Sequence, residues 1–353
     1  MTSRQRMEAA LRGEKTDAVP IFLRDLTLGL DVCDFSTPEV CAGGPGGAYD
    51  AEKSARCIVE TQRLLGHDCV VGGIHDLGLD VDALGGRVEF PERGIPYIAD
   101  PAFPRPEAIP DALPPDIHRE GRMPGLLRSY ALVAQAVGDE VAIAANVEGP
   151  ITKAGLLRGL DNLLLDMVRN PTAAHAAVDF AVGLACAHVG ALLGAGAHFV
   201  FIAAASDGPA AARPEHYLEY TVPGLAKIVA AAQQHAAPVV FHPHGPFTKE
   251  RFRPLVDAAV ETGIAGFQFG EDNDLALAGQ QWGRRVCILG GVDIPEVLLP
   301  GPPDRIRRAT REVLEQVDSQ RGYVLMPSCS LHRGFPIAHL EAMIAAARDR
   351  RAG

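Results

Sequence analysis

Along the chain, short runs of apolar β-formers alternate with longer stretches in which apolar residues recur at helical spacing. The runs are residues 18–25 (AVPIFLRD), 68–74 (DCVVGGI), 141–149 (VAIAANVEG), 197–205 (AHFVFIAAA), 238–245 (PVVFHPHG), 264–270 (IAGFQFG), 285–292 (RVCILGGV) and 323–329 (YVLMPSC). Several are apolar on both faces, the pattern of parallel strands covered by helices on each side. Residues 173–196, 215–236 and 302–320 carry the helical pattern between them. Eight βα repeats predict a closed (β/α)8 TIM barrel, a single domain over 1–353, in preference to a doubly wound open sheet. Residues 89–116 are rich in proline and too long for an ordinary βα loop, so they are expected to cross over one face. Residues 31–50, with glycines and a proline after the first run, are expected to form a lid or an irregular loop.

Composition changes this picture mainly by exclusion. The 353 residues carry a formal net charge of -11, with a pI near 5.5 and no run of lysines or arginines. That balance argues against nucleic acid and against an anionic membrane surface as partners. No stretch of about 18 uninterrupted apolar residues occurs, and the N-terminal MTSRQRMEAALRGEK lacks the apolar core of a secretory signal. A cytoplasmic protein is expected. Seven cysteines, an odd number spread through the chain, do not read as a disulfide framework.

In a barrel of this kind chemistry sits at the carboxyl ends of the strands, which makes the last residues of each run the candidates. His242 and His244 end the fifth run one residue apart; strand side chains alternate, so the two project to the same side. Cys329 ends the eighth run. A His-x-His pair with a distant cysteine would supply three metal ligands and leave a fourth position for substrate or water. Two histidines that satisfy loop backbone groups beside a buried cysteine are the alternative.

The ordered motifs add a resemblance. FHPHG (241–245), ILGGVDIPEVLLPG (288–301) and GYVLMPSCSLHRGFPIAHLEAMIAAA (322–347) follow one another. They resemble the L-H-x-C-G segment, the G-N-V-D-P segment and the C-terminal segment of the uroporphyrinogen decarboxylase superfamily, in its zinc-dependent methylcobamide:coenzyme M methyltransferase branch. Upstream, residues 68–98 and NVEGPITKAGLLRG (146–159) are similar to that family's aspartate strand and its G-P-F-T-x-A turn. The resemblance implies zinc bound by His242, His244 and Cys329, with His244 standing where the branch has a second cysteine. It implies methyl transfer to a thiol-like acceptor from a corrinoid, either methylcobalamin or a corrinoid protein, because no cobalamin-binding module is evident in the chain. A homodimer is among the assemblies allowed. With one thiolate instead of two, the site would be formally +1, a harder Lewis acid whose bound thiolate is a weaker nucleophile. Decarboxylation is the less favoured activity, since the family's arginine-rich N-terminal loop is reduced here to Arg24. Zinc-assisted hydrolysis and an accessory role stay open.

Further candidates follow from position. Asp76 matches the family's barrel-mouth aspartate, as a proton acceptor or substrate-orienting group, or else caps a helix. His75 reads as a supporting group. Glu271 is a candidate fourth ligand or one acid of a solvated GEDND turn. His332 would reach the metal or the substrate, or sit in a loop before a helix. Asp293 would orient a ligand histidine, and Gly290 and Gly291 would allow close backbone approach in the mouth, on the cofactor side.

Overall fold

The computed structural model describes residues 1–109, 111–317 and 321–349. Its strands are β1 (Cys69–Val71), β2 (Arg87–Glu89), β3 (Tyr97–Asp100), β4 (Ala142–Glu148), β5 (Phe199–Ala204), β6 (Val239–Pro243), β7 (Gly266–Phe269), β8 (Cys287–Val292) and β9 (Tyr323–Pro327). Seven of them form one parallel sheet in the order β1-β4-β5-β6-β7-β8-β9, while β2 and β3 pair with each other as an antiparallel hairpin. Strands β4, β5, β6 and β7 are buried along their whole length, which is why their sequences read as apolar runs without alternation.

Residues 18–25 were expected to be the first strand, and they occupy that place without being regular. Ile21 bridges Leu325 and Phe22 bridges Cys69, both in the parallel sense, so this segment joins β9 to β1 and closes the barrel. Leu325 donates its N–H to the Pro20 carbonyl and Phe22 donates to the Leu325 carbonyl. The irregularity has two causes in the chain itself. Pro20 has no N–H to give the ladder, and Arg24 at φ 46° leaves the extended region. Phe22 packs edge-on against Phe199 and Phe201. Strand β5 is not its neighbour in the sheet, so these contacts cross the barrel interior.

The helical expectations hold in outline. Residues 173–196 correspond to the helix Pro171–Gly194, which begins behind an Asn170 cap. By length and composition this helix could cross a membrane, although the chain has no uninterrupted apolar run of that size; half of its apolar window is buried against the rest of the protein. Residues 215–236 divide into Pro214–His216, a wider π turn at Tyr217–Thr221 and a helix from Val222. Pro223 lacks the N–H that would continue the regular ladder, which accounts for the break. The third segment forms Pro303–Gln316, and its last three positions, 318–320, lie outside the described residues, as do residues 350–353 of the expected domain.

Two loops behave differently. Residues 89–116 contribute β3, and the β2–β3 hairpin lies over the barrel mouth, as the excursion reading required. Residues 31–50 contain the helix Thr37–Cys41 under a Ser36–Glu39 capping box. They are anchored by Tyr49, whose hydroxyl donates to the Ile74 carbonyl at 2.6 Å. The helix Pro150–Arg158 starts without a cap of its own. Asp207, beyond β5, takes over and accepts from the N–H groups of Ile151 at 2.8 Å and Thr152 at 2.9 Å, which answers the unsatisfied donors of a helix start.

Candidate metal centre and cavity at the barrel mouth

Strand β6 ends in His242 and Pro243, and His244 follows directly. Phe241 packs outward against Tyr217 and Phe267, so His242, one position on, turns inward and meets Phe201. Cys329 lies two residues beyond β9, three staves further round. The curl of the sheet brings the three side chains together. His242 Nε2 and His244 Nε2 are 3.1 Å apart, and Cys329 Sγ is 3.7 Å from the first and 3.6 Å from the second.

These separations fit a metal. Tetrahedral bonds of about 2.0–2.1 Å to nitrogen and about 2.3 Å to sulfur set ligand-to-ligand edges of about 3.3 Å and about 3.6 Å. Among the described residues this is the group of His, Cys, Asp and Glu side chains close enough to hold an ion. The electrostatics agree. Burial drives His242 down to about 4, which leaves a neutral, coordinating imidazole. Burial also opposes ionisation of Cys329, but hydrogen bonding to His242 and His244 outweighs it, and the thiol falls well below its usual range. The Cys329 hydrogen bond raises His244 against the effect of its burial, with a smaller contribution from the charge of Glu271. Thiolate character is what a metal needs of this cysteine.

A cavity of about 270 Å³ opens beside the trio. Arg24 lines it, almost fully buried and without a carboxylate partner among the described residues. Its Nε and Nη2 both reach Asn146 Oδ1 at 3.3 Å, and its guanidinium lies 4.8 Å above the Phe201 ring. Asp76 stands behind it. The Asp76 carboxylate accepts from Asn146 Nδ2 at 2.6 Å and from the Tyr130 hydroxyl at 2.9 Å, and burial pushes it up to about 6. Asp76 therefore neither caps a helix nor lines the cavity; it fixes Asn146, which fixes Arg24. His75, expected to be only supporting, lines the cavity at φ 46° with its Nδ1 unpartnered. Burial lowers it to about 3, and its uncommon backbone geometry is the kind that clusters at functional sites.

Other expectations need correction. His332 lines the cavity, but its Nε2 engages Ser330 Oγ at 3.1 Å and its Nδ1 engages Thr27 Oγ1 at 3.2 Å, and it stands apart from the ligand trio. Glu271 is exposed in its turn and does not join the trio, which supports the solvated reading. Asp293 accepts from the Glu296 N–H at 2.7 Å and caps the turn after β8. It orients no ligand histidine, and His242 Nδ1 has no partner among the described residues. Gly290 (φ 149°) and Gly291 (φ 155°) do permit close approach, but to the sheet rather than to a cofactor. A Cβ there would fall 2.7 Å from the Phe269 carbonyl oxygen and 2.6 Å from that of Met326.

Sequence reasoning missed a second buried cluster. Lys153 Nζ lies 2.7 Å from Asp80 and 2.9 Å from Glu148, and Glu148 also accepts from the Gly78 N–H at 2.5 Å. His188 approaches Asp80 at 3.7 Å. Glu148 lines the cavity. The available signal was a glutamate closing the apolar run at 141–149 and a lysine inside the next helix.

A parallel barrel with a two-histidine, one-cysteine cluster at its carboxyl mouth defines the class of protein. The chain belongs to the uroporphyrinogen decarboxylase (URO-D) family, whose model matches residues 2–350. It is 24% identical over 353 residues to the methylated-thiol–coenzyme M methyltransferase of Methanosarcina mazei, covering 99% of this chain and 90% of that protein. It is 26% identical to the methylcobamide:CoM methyltransferase of Methanosarcina barkeri, covering 98% and 97%. Among solved structures, a methyltransferase from Methanosarcina mazei superposes with a TM-score of 0.87 at 24% identity, covering all of both chains. A B12-independent methionine synthase from Shewanella superposes with a TM-score of 0.62 at 12% identity, covering 95% and 98%. These two likenesses show the barrel fold.

Proposed function

We propose that this protein is a corrinoid-dependent methyltransferase that moves a methyl group to a thiol at a zinc ion held by His242, His244 and Cys329. The observation that carries the reading is the triangle of two Nε2 atoms and one Sγ, with edges of 3.1, 3.6 and 3.7 Å, at the barrel mouth. The methyltransferase names of the relatives support it. A zinc ion held by these three side chains would supply a Lewis acid that lowers the pKa of an acceptor thiol. Transfer would break the donor's Co–CH3 bond with its electron pair left on cobalt, form a C–S bond and release the thiol proton.

The chain's own residues bind and orient. The Asp76–Asn146–Arg24 relay holds a cation beside Cys329, where it favours negative charge on sulfur. The β2–β3 hairpin and Leu156 wall the acceptor away from water. At about 270 Å³ the cavity is below the usual 300–1,000 Å³ range of ligand pockets and has no room for a corrin ring. The donor, methylcobalamin or a corrinoid protein, therefore presents its methyl group from the open side. Incubating the zinc-loaded protein with methylcobalamin and a panel of thiols tests the reading. Loss of the methylcobalamin spectrum is expected, abolished by chelation and in Cys329→Ala. No turnover with any thiol at full zinc occupancy would favour an activated water, and with it hydrolysis.

A further inference from the structure

We propose that the acceptor is a thiol with an apolar body of a few carbons, and that this site disfavours thiols carrying a sulfonate or carboxylate tail. The inference rests on the methyltransferase reading and specifies its substrate. Three observations carry it.

The first is the wall. Away from the ligand trio the cavity is walled largely by Leu26, Leu77, Val88, Pro96, Ile98 and Leu156, with Arg24 and Glu148 the basic and acidic side chains besides histidine that reach it. The second is the state of the polar groups that do reach the cavity. Glu148 spends one oxygen on Gly78 N–H and the other on Lys153. Thr152 donates to Asp207 and accepts from the Ser206 N–H. Ser330 and His332 engage each other, and His332 also engages Thr27. Among the buried polar groups that line the cavity, unused capacity is left in the trio, Arg24 and His75, at the end where sulfur would sit, while Tyr97 stands exposed at the rim.

The third observation is charge. Beneath the cavity Lys153 stands between two carboxylates, Asp80 and Glu148. Burial lowers His188 to about 4, so it adds no positive charge at neutral pH. This cluster is net negative. An anionic tail reaching away from Arg24 would meet the Glu148 carboxylate of this cluster among apolar side chains, an unfavourable transfer. An alkyl tail would instead replace water against Leu77, Ile98 and Leu156.

Calorimetric titration of the zinc-loaded protein with ethanethiol, propanethiol, butanethiol and 2-mercaptoethanesulfonate tests this without needing turnover. Each added methylene should tighten binding about fourfold, the factor that follows from roughly 0.8 kcal/mol per buried CH₂. The sulfonated thiol should bind about tenfold or more weakly than propanethiol. Leu156→Ala, a change in a partly buried wall residue, should weaken butanethiol about fourfold or more and ethanethiol by clearly less, with zinc retained. A flat alkyl series, or tighter binding of the sulfonated thiol, would overturn the proposal. An alkyl ladder without methyl transfer would uphold the apolar site and overturn the methyltransferase reading; methyl transfer with a flat ladder would do the reverse.

Discussion

Two clusters of ionisable side chains, one fully buried and one half-buried, flank the same cavity, and they differ in whether they hold their own counter-ion. In one, Asp80 and Glu148 enclose Lys153, and all three side chains are at most 2% exposed. In the other, the His242 and His244 imidazoles and the Cys329 thiol, held well below its usual range, converge on one point with Arg24 nearby. Lys153 Nζ is to the carboxylates what a metal ion would be to the trio. The first cluster brings its counter-ion in the sequence, so its role is structural: through the Glu148–Gly78 hydrogen bond it also fixes the segment that carries His75. The second, on the proposed reading, is completed by a bound metal ion.

The comparison breaks most visibly at Lys153. Lys153→Met should leave two buried carboxylates without their cation and cost about 3–5 kcal/mol of stability in denaturant unfolding. A loss under about 1 kcal/mol would mean that the cluster is not held together as described. Cys329→Ala should do the opposite: metal content by elemental analysis should fall from about one per chain to a small fraction, whereas the metal-free variant should unfold within about 1 kcal/mol of the metal-free parent. A large loss of apo stability would make the trio structural as well.

A smaller effect separates the clusters by pH. His188 is neutral in the folded protein down to about 4, because burial and Lys153 outweigh Asp80, while in the unfolded chain it takes a proton near its ordinary 6.5. Stability owed to its neutral form is therefore lost as pH falls from 6.5 to 4. Burial gives His67 the same behaviour. Buried Asp25, raised to about 7, and Asp76, raised to about 6, act in the other direction, since the folded protein keeps protons that the unfolded chain has released. His188→Gln should flatten the decline between pH 6.5 and 4 without altering metal content; an unchanged slope would show that His188 titrates normally.

The legible part of this molecule was what a strand pattern can carry. Runs apolar on both faces gave the barrel, and alternation at the end of β6 put His242 and His244 on one side, with Cys329 closing the last run. The first stave was legible as a run but not as an irregular one, because its form depends on Pro20 and on the positive φ of Arg24. The ion cluster was not legible, since Lys153 in a helix looks like a solvated lysine until Asp80 and Glu148 fold against it. Asp76 had the right address and a different task, and only the positions of Tyr130 and Asn146 reveal it. Asp293 was misread because a strand-end acid that caps the following turn has the same sequence appearance as one that orients a ligand.

The most direct test of the central claim, that the trio is a metal site completed from outside, is X-ray absorption at the zinc edge of the loaded protein. One sulfur at about 2.3 Å and two nitrogens at about 2.0–2.1 Å from histidine are predicted in the first coordination sphere, with a second sulfur appearing in His244→Cys. A sphere of nitrogen and oxygen alone, or a His244→Cys spectrum indistinguishable from that of the parent, would contradict the account.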